Sequence, residues 1–188
     1  MSRLRIYHDT QAQTPLATYT DHARIASELG QVGVRFEQWE AAQPIVPGAS
    51  QDEVIAAYRA DIDRLMREKG YRSVDVISLA PDHPDRATLR RKFLSEHTHA
   101  EDEVRFFVAG AGQFTLHIGD KVYEVLCESG DLIGVPDRTR HWFDMSESPY
   151  FVAIRLFTNR DGWIAEFTGA DIAEQFPRMT PQRPTQAA

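Results

Sequence analysis

The sequence predicts a mainly β protein, an antiparallel sandwich or barrel with a few helices, mostly in its N-terminal half. Three observations carry that expectation. From Glu96 onward, apolar residues fall in short runs bounded by glycine, proline, aspartate or serine. Their spacing of roughly 8–12 residues is that of strands in a sandwich or barrel. Before Glu96, only one long stretch keeps a helical period, and it stands between short alternating ones. Where the texture changes, His97-Thr98-His99 and Glu103 open the first strand-like runs.

Taken in order, Leu4 and Ile6 alternate with Arg3, Arg5 and Tyr7, a short strand. Thr20-Asp21 opens a helix carrying Ile25, Ala26 and Leu29, and Gly30 closes it. Val32, Val34 and Phe36 alternate as a second strand, and Pro44 to Gly48 is a loop. Ser50 and Glu53 form a capping box, each satisfying a free amide of a first helical turn. Behind it Val54, Tyr58, Ile62, Leu65 and Met66 keep helical spacing, which predicts one helix over about residues 51–69 with a stop at Lys69-Gly70. Val74, Val76 and Ser78 alternate with Asp75, Ile77 and Leu79, a third strand broken at Pro81. Arg86 to Leu94 reads as a short helix, with Leu89 and Phe93 one turn apart.

The remaining strands are Val104 to Ala109, Phe114 to Ile118, Val122 to Cys127, Leu132 to Val135, Trp142-Phe143 and Tyr150 to Phe157. Gly110-Ala-Gly112 reads as the turn between the first two. Thr168 to Phe176 suits a terminal helical turn, and the proline-bearing stretch 177–188 reads as a disordered tail. The expected organisation is one domain over 1–188. In it 1–95 extends the barrel, and 96–167 is the metal-binding β-core.

A chain of 188 residues can bury a substantial core. Its formal net charge of −7 argues against a nucleic-acid or anionic-membrane surface. No apolar run approaches the roughly 20 residues that span a bilayer, and the first residues have no apolar signal core. Cys127, the single cysteine, excludes an internal disulfide and fits a reducing cytoplasm. It reads as a small packed residue. A monomer is expected.

His97 and His99 are two apart, so an extended backbone points both to one face, and Glu103 and Arg105 likewise share a face. Two imidazoles and a carboxylate suit a divalent transition metal, and His141 supplies a third imidazole if the strands fold back. Isolated His8, His22, His83 and His117 read as polar surface or satisfied core groups. Arg105 fits either a cation aimed at the metal cavity or the partner of a barrel carboxylate. Arg155 fits a second basic group or a structural salt bridge. Phe143 and Trp163 fit a pocket wall or core packing. Glu96 and Asp102 fit supports of the ligands or exposed carboxylates. Because ligand histidines must be neutral, metal affinity is expected to fall below about pH 6.5.

His97-x-His99-x3-Glu103-x6-Gly110 and Gly130-x5-Pro136-x-Arg138-x2-His141 resemble the two motifs of the cupin superfamily, departing at Arg138 and Met145. The resemblance implies a double-stranded β-helix, the jelly-roll barrel, with a metal inside. Lys92-Phe-Leu-Ser-Glu96-His97, Asp102 to Gly110, Gly130 to Pro136, His141 to Met145, Ile154 to Phe157 and Gly162-Trp163 are similar to acireductone dioxygenases. That likeness runs from about Val74 to Phe176.

It implies one Fe2+ or Ni2+ on His97, His99, Glu103 and His141, with acireductone and O2 as substrates and Arg105 stabilising the substrate dianion. It links Glu96 and Asp102 to metal loading. The implied reaction belongs to methionine salvage. Fe2+ gives formate and 4-methylthio-2-oxobutanoate; Ni2+ gives formate, carbon monoxide and 3-(methylthio)propanoate. Another cupin dioxygenase, a cupin isomerase and a non-enzymatic ligand-binding cupin are the rival readings.

Overall fold

The structure, a computed structural model, describes residues 1–159 and 164–181. Among them, strands β1 (Arg3–His8), β2 (Ala17–Tyr19), β3 (Arg35–Gln38) and β4 (Ser73–Leu79) come from the N-terminal part. The rest are β5 (His97–Thr98), β6 (Glu103–Ile118), β7 (Lys121–Glu128), β8 (Asp131–Val135), β9 (Arg140–Asp144), β10 (Phe151–Phe157) and β11 (Glu166–Phe167). The helices are α1 (His22–Gly30), α2 (Gln51–Ala57), α3 (Arg59–Lys69), α4 (Arg86–Leu94) and α5 (Ile172–Gln175).

All pairings are antiparallel, and β6 belongs to two sheets. Its C-terminal half lies in the order β11-β5-β9-β6-β7-β1-β2. Its N-terminal half joins β4-β10-β6-β8-β3. The two sheets close over a core that includes Leu4, Phe107, Phe114, Leu116, Ile133, Phe143 and Phe151. The N-terminal strands thus extend both sheets.

The expected turn at Gly110-Ala-Gly112 does not form; β6 runs through it as one strand of 16 residues. A bulge does the work of the turn. Opposite β10 the register slips at Val152/Ala153, leaving Val108 as the extra residue. Before the bulge the inward residues are Glu103, Arg105 and Phe107; after it they are Phe114 and Leu116. One added residue therefore changes which alternate positions face the barrel, and the strand passes from one sheet to the other.

Gly110 makes the crossing possible. Its φ is +65°, and a Cβ there would lie 1.7 Å from the Tyr150 carbonyl oxygen. Gly110→Ala is expected to cost more than about 2 kcal/mol, adding backbone strain to a backbone collision. A urea midpoint within error of the parent's would contradict this account of the bulge.

The single helix expected over 51–69 is two. Its capping box forms as the sequence indicates, with Ser50 and Glu53 satisfying each other's backbone amides. The interruption is at Tyr58 (φ −107°, ψ 23°). Its ring is buried edge-on to Phe106, and its hydroxyl accepts the Gln43 amide. Both helices cover the outer face of the β4-β10-β6-β8 layer through Val54, Tyr58, Ile62 and Leu65.

The second strand starts later than its alternation suggests, at Arg35, and β2 was not legible in the sequence. The segment from Pro177 is also more ordered than its composition suggests. Gln113 donates to the Pro177 carbonyl, the Met179 amide donates to Asp144, and the Met179 side chain is buried. Residues 182–188, the rest of the expected tail, lie outside the described residues, as does Trp163. Among the described residues, no helix is long and apolar enough to cross a membrane.

Candidate metal centre

Register brings the histidines together. On β5, His97 stands opposite His141 of β9, which stands opposite Leu116 of β6. His99 follows two residues on. The ligand-capable atoms of His97, His99 and His141 lie within 4.8 Å of one another, and all three side chains are buried.

Backbone carbonyls fix each ring. Nδ1 of His97 lies 2.8 Å from the Ser95 oxygen, Nδ1 of His141 2.8 Å from Thr139 oxygen, and Nδ1 of His99 2.9 Å from Ile164 oxygen. A carbonyl can only accept, so each Nδ1 carries the proton and each Nε2 presents a lone pair. Three rings locked in that tautomer are how proteins prepare histidine for a metal.

Glu103 lies beside the three histidines but outside their 4.8 Å cluster. Its Oε2 is 3.3 Å from His99 Nε2. Its Oε1 accepts from Arg105 Nε at 3.0 Å and Nη2 at 2.6 Å. Burial alone would raise the Glu103 pKa, but the Arg105 charge, with that of Arg155 behind it, holds it well below the ordinary carboxylate range. Glu103 Oε2, Arg105 Nη1 and His141 Nε2 are buried with no hydrogen-bond partner. Buried polar atoms left bare are costly; Glu103 Oε2 and His141 Nε2 are acceptors that suit a cation, and Arg105 Nη1 is a donor that suits an anionic oxygen. Imidazole nitrogens with one carboxylate suit Fe2+, Ni2+ and similar divalent ions.

Burial favours the neutral form of His97 and His141. It is the foremost cause that lowers the His97 pKa, and it takes His141 down to about 3. His141 therefore stays unprotonated well below pH 6.5. The same shift sets acid stability. A histidine whose folded pKa is depressed binds fewer protons folded than unfolded. Its contribution is full above the unfolded pKa near 6.5 and is lost as pH falls toward about 3. At pH 5 the metal-free protein is expected to have lost on the order of 2 kcal/mol from His141 alone, relative to pH 6.5. Urea midpoints at the two pH values check this, and equal midpoints would refute it.

Around the ligands, the cavity is lined by Lys92, Phe93, Arg105, Arg155 and Ala165 as well as His97 and His99. Sequence reasoning missed Lys92, Phe93 and Ala165. The available signal was that α4 ends three residues before His97, which sets its last turn against the site. Arg155 lies directly opposite Arg105 across β10 and β6, and opposite Asp75 across β10 and β4. Asp75 accepts from Arg155 at 2.8 and 2.6 Å. Arg155 thus satisfies both alternatives, salt bridge and cavity wall.

Phe143 is fully buried, near the Phe107, Phe114 and Phe151 rings. The Arg105 guanidinium stands 4.6 Å from its ring centre, so Phe143 forms the floor beneath Arg105. Glu96 is buried between His117 Nδ1 at 2.8 Å and the Thr168 hydroxyl at 2.8 Å. Asp102 accepts the Asp137 amide at 2.9 Å, tying the β8–β9 turn that leads to His141. Arg138, where the cupin pattern commonly has glycine, has a φ of +55°. Its amide donates to the His99 carbonyl, which holds the unusual backbone in place.

A two-sheet antiparallel barrel with inward histidines at its centre defines a protein of the cupin class. Within that class the chain belongs to the ARD/ARD′ family, whose model matches residues 3–165. An acireductone dioxygenase of Stenotrophomonas maltophilia (strain R551-3) is 65% identical over 181 residues, covering 96% of this chain and 98% of the relative. One of Xanthomonas campestris pv. campestris (strain B100) is 57% identical over 188 residues, the full length of both. Among solved structures, acireductone dioxygenase from Bacillus anthracis with a cadmium ion in its active centre superposes with a TM-score of 0.77. It is 30% identical, and the match covers 89% of this chain and 98% of that one.

Proposed function

We propose that the chain cleaves acireductone, 1,2-dihydroxy-3-keto-5-methylthiopentene, with O2 in methionine salvage, using one Fe2+ or Ni2+ held by His97, His99, Glu103 and His141. A cytoplasmic, monomeric enzyme without nucleic-acid or membrane partners belongs to the same reading. The observation that carries it is the cluster of three tautomer-locked imidazoles, with Glu103 Oε2 3.3 Å from His99 and an Arg105 nitrogen buried without a hydrogen-bond partner. Relatives at 57–65% identity over nearly the whole chain support the substrate.

The bound cation supplies Lewis acidity and a template for two adjacent substrate oxygens. The chain supplies the rest. Glu103 grips Arg105 through Nε and Nη2, which fixes Nη1 in space. That bare, buried donor is assigned to an oxygen of the deprotonated enediol. A guanidinium stays charged there and strengthens as water is excluded. Arg155, steadied by Asp75, adds a second positive wall to the cavity. Glu96, through Thr168 and His117, anchors the backbone that carries His97, and Asp102 anchors the turn before His141. Phe143 gives Arg105 a dry aromatic floor.

The test loads metal-stripped protein separately with Fe2+ and Ni2+ and supplies acireductone in air. Both portions are expected to consume it, the iron form yielding formate and 4-methylthio-2-oxobutanoate. The nickel form is expected to yield formate, 3-(methylthio)propanoate and carbon monoxide. Metal-loaded protein that leaves acireductone at its uncatalysed rate of loss would overturn the proposal.

A further inference from the structure

We propose that Phe167 determines substrate specificity, forming the outer wall of a subsite for the apolar end of the substrate; this rests on the acireductone reading above. The register of the sheet places it. On β11, Phe167 stands directly opposite His97, and the row continues through His141, Leu116, Tyr123 and Ile6. Residues directly opposite one another in a sheet project from the same face. Leu116, Tyr123 and Ile6 all lie in the barrel core, so this row faces inward and Phe167 is its outermost member. Its ring lies 5.8 Å from the His97 ring. Ala165, two residues earlier, already lines the metal cavity.

Phe167 is nonetheless 54% exposed. The backbone around it is tied to the site. The Ile164 carbonyl accepts from His99, and both the amide and the hydroxyl of Thr168 donate to Glu96. An apolar ring is therefore held half in water beside His97, two residues along the chain from the Ala165 that lines the cavity, where a ligand can cover it.

The inward direction is closed to a substrate tail. Phe143 packs with Phe114 and Phe151, and a Cβ placed on Gly112 would fall 2.4 Å from the Phe143 ring. With its oxygens facing the histidines and Arg105, a substrate directs its tail outward, between Phe93 on α4 and Phe167 on β11. The occupant is a short, unbranched, uncharged chain such as a thioether.

Wild type, Phe167→Ala and Phe167→Leu, each loaded with Ni2+, are titrated without O2 against two enediol ketones, one ending in methylthioethyl and one in methyl. Metal content is measured for each protein, because Phe167 neighbours His97. Phe167→Ala is expected to bind the tail-bearing compound about tenfold more weakly, as suits the loss of one apolar contact face. Binding of the methyl compound should not change, and Phe167→Leu should recover most of the loss. In air the same loss should appear in KM for the tail-bearing compound, with kcat kept. Equal weakening for both compounds, or none for either, would overturn the subsite. Tail-selective binding without oxygen uptake by any of the proteins would uphold the subsite and overturn the dioxygenase reading.

Discussion

His141→Ala is expected to abolish tight metal binding and, with it, oxygen-dependent turnover. His141 is the fully buried centre of the ligand row, between His97 and Leu116, and the Thr139 carbonyl fixes its tautomer. Losing only an outer partner of a ligand histidine costs roughly 10–100-fold in metal affinity, so losing the ligand itself should cost more than about 100-fold. The variant should lose its metal on desalting, whereas His8→Ala, altering a surface imidazole, should keep it. Misfolding is separable from ligand loss, because the metal-free variant should still unfold cooperatively in urea. One metal per chain together with parental turnover in His141→Ala would remove this residue from the site.

Much of that centre was legible because its chemistry is local. His-x-His depends only on strand pleat, and Glu103 and Arg105 share a face for the same reason. The arrival of His141 required pairing between β5 and β9, which spacing alone does not specify; the motif resemblance supplied it. What could not be read was the parity change in β6. Gly110 and Gly112 are turn residues by composition. Their use here is to let the chain pass Tyr150 and Phe143 at distances no side chain allows.

Tyr58 misled for a similar reason. It continues the apolar period, yet its contacts with Phe106 and Gln43 interrupt the helix. Phe93 is set against the site because α4 ends three residues before His97, and Phe167 stands beside His97 only because β11 pairs with β5, which spacing alone does not specify. Arg155 was ambiguous in sequence and remains dual in structure, because the same guanidinium contacts Asp75 and faces the cavity.

Arg105→Ala is expected to act on stability and on turnover at once, and metal loading separates the two effects. Arg105 and Glu103 are 3% and 1% exposed, joined by two hydrogen bonds to one carboxylate oxygen. Removing one partner of a buried ion pair strands the other, at a cost of about 3–5 kcal/mol. Metal-free Arg105→Ala should therefore unfold at much lower urea than metal-free wild type. A divalent cation bound beside Glu103 offsets the stranded charge, so metal should raise the variant's urea midpoint by more than it raises the parent's. Turnover should not recover with stability. The substrate oxygen assigned to Nη1 then lacks its donor, and loss of a preorganised donor of this kind costs about 10²–10³ in rate. Arg105→Lys keeps a charge but cannot hold Glu103 through two nitrogens while presenting a third to substrate, so its turnover should fall between the two. If metal-loaded Arg105→Ala regains both stability and full kcat, Arg105 serves only as the partner of Glu103. A variant that regains stability and stays slow places the guanidinium in contact with the reacting substrate.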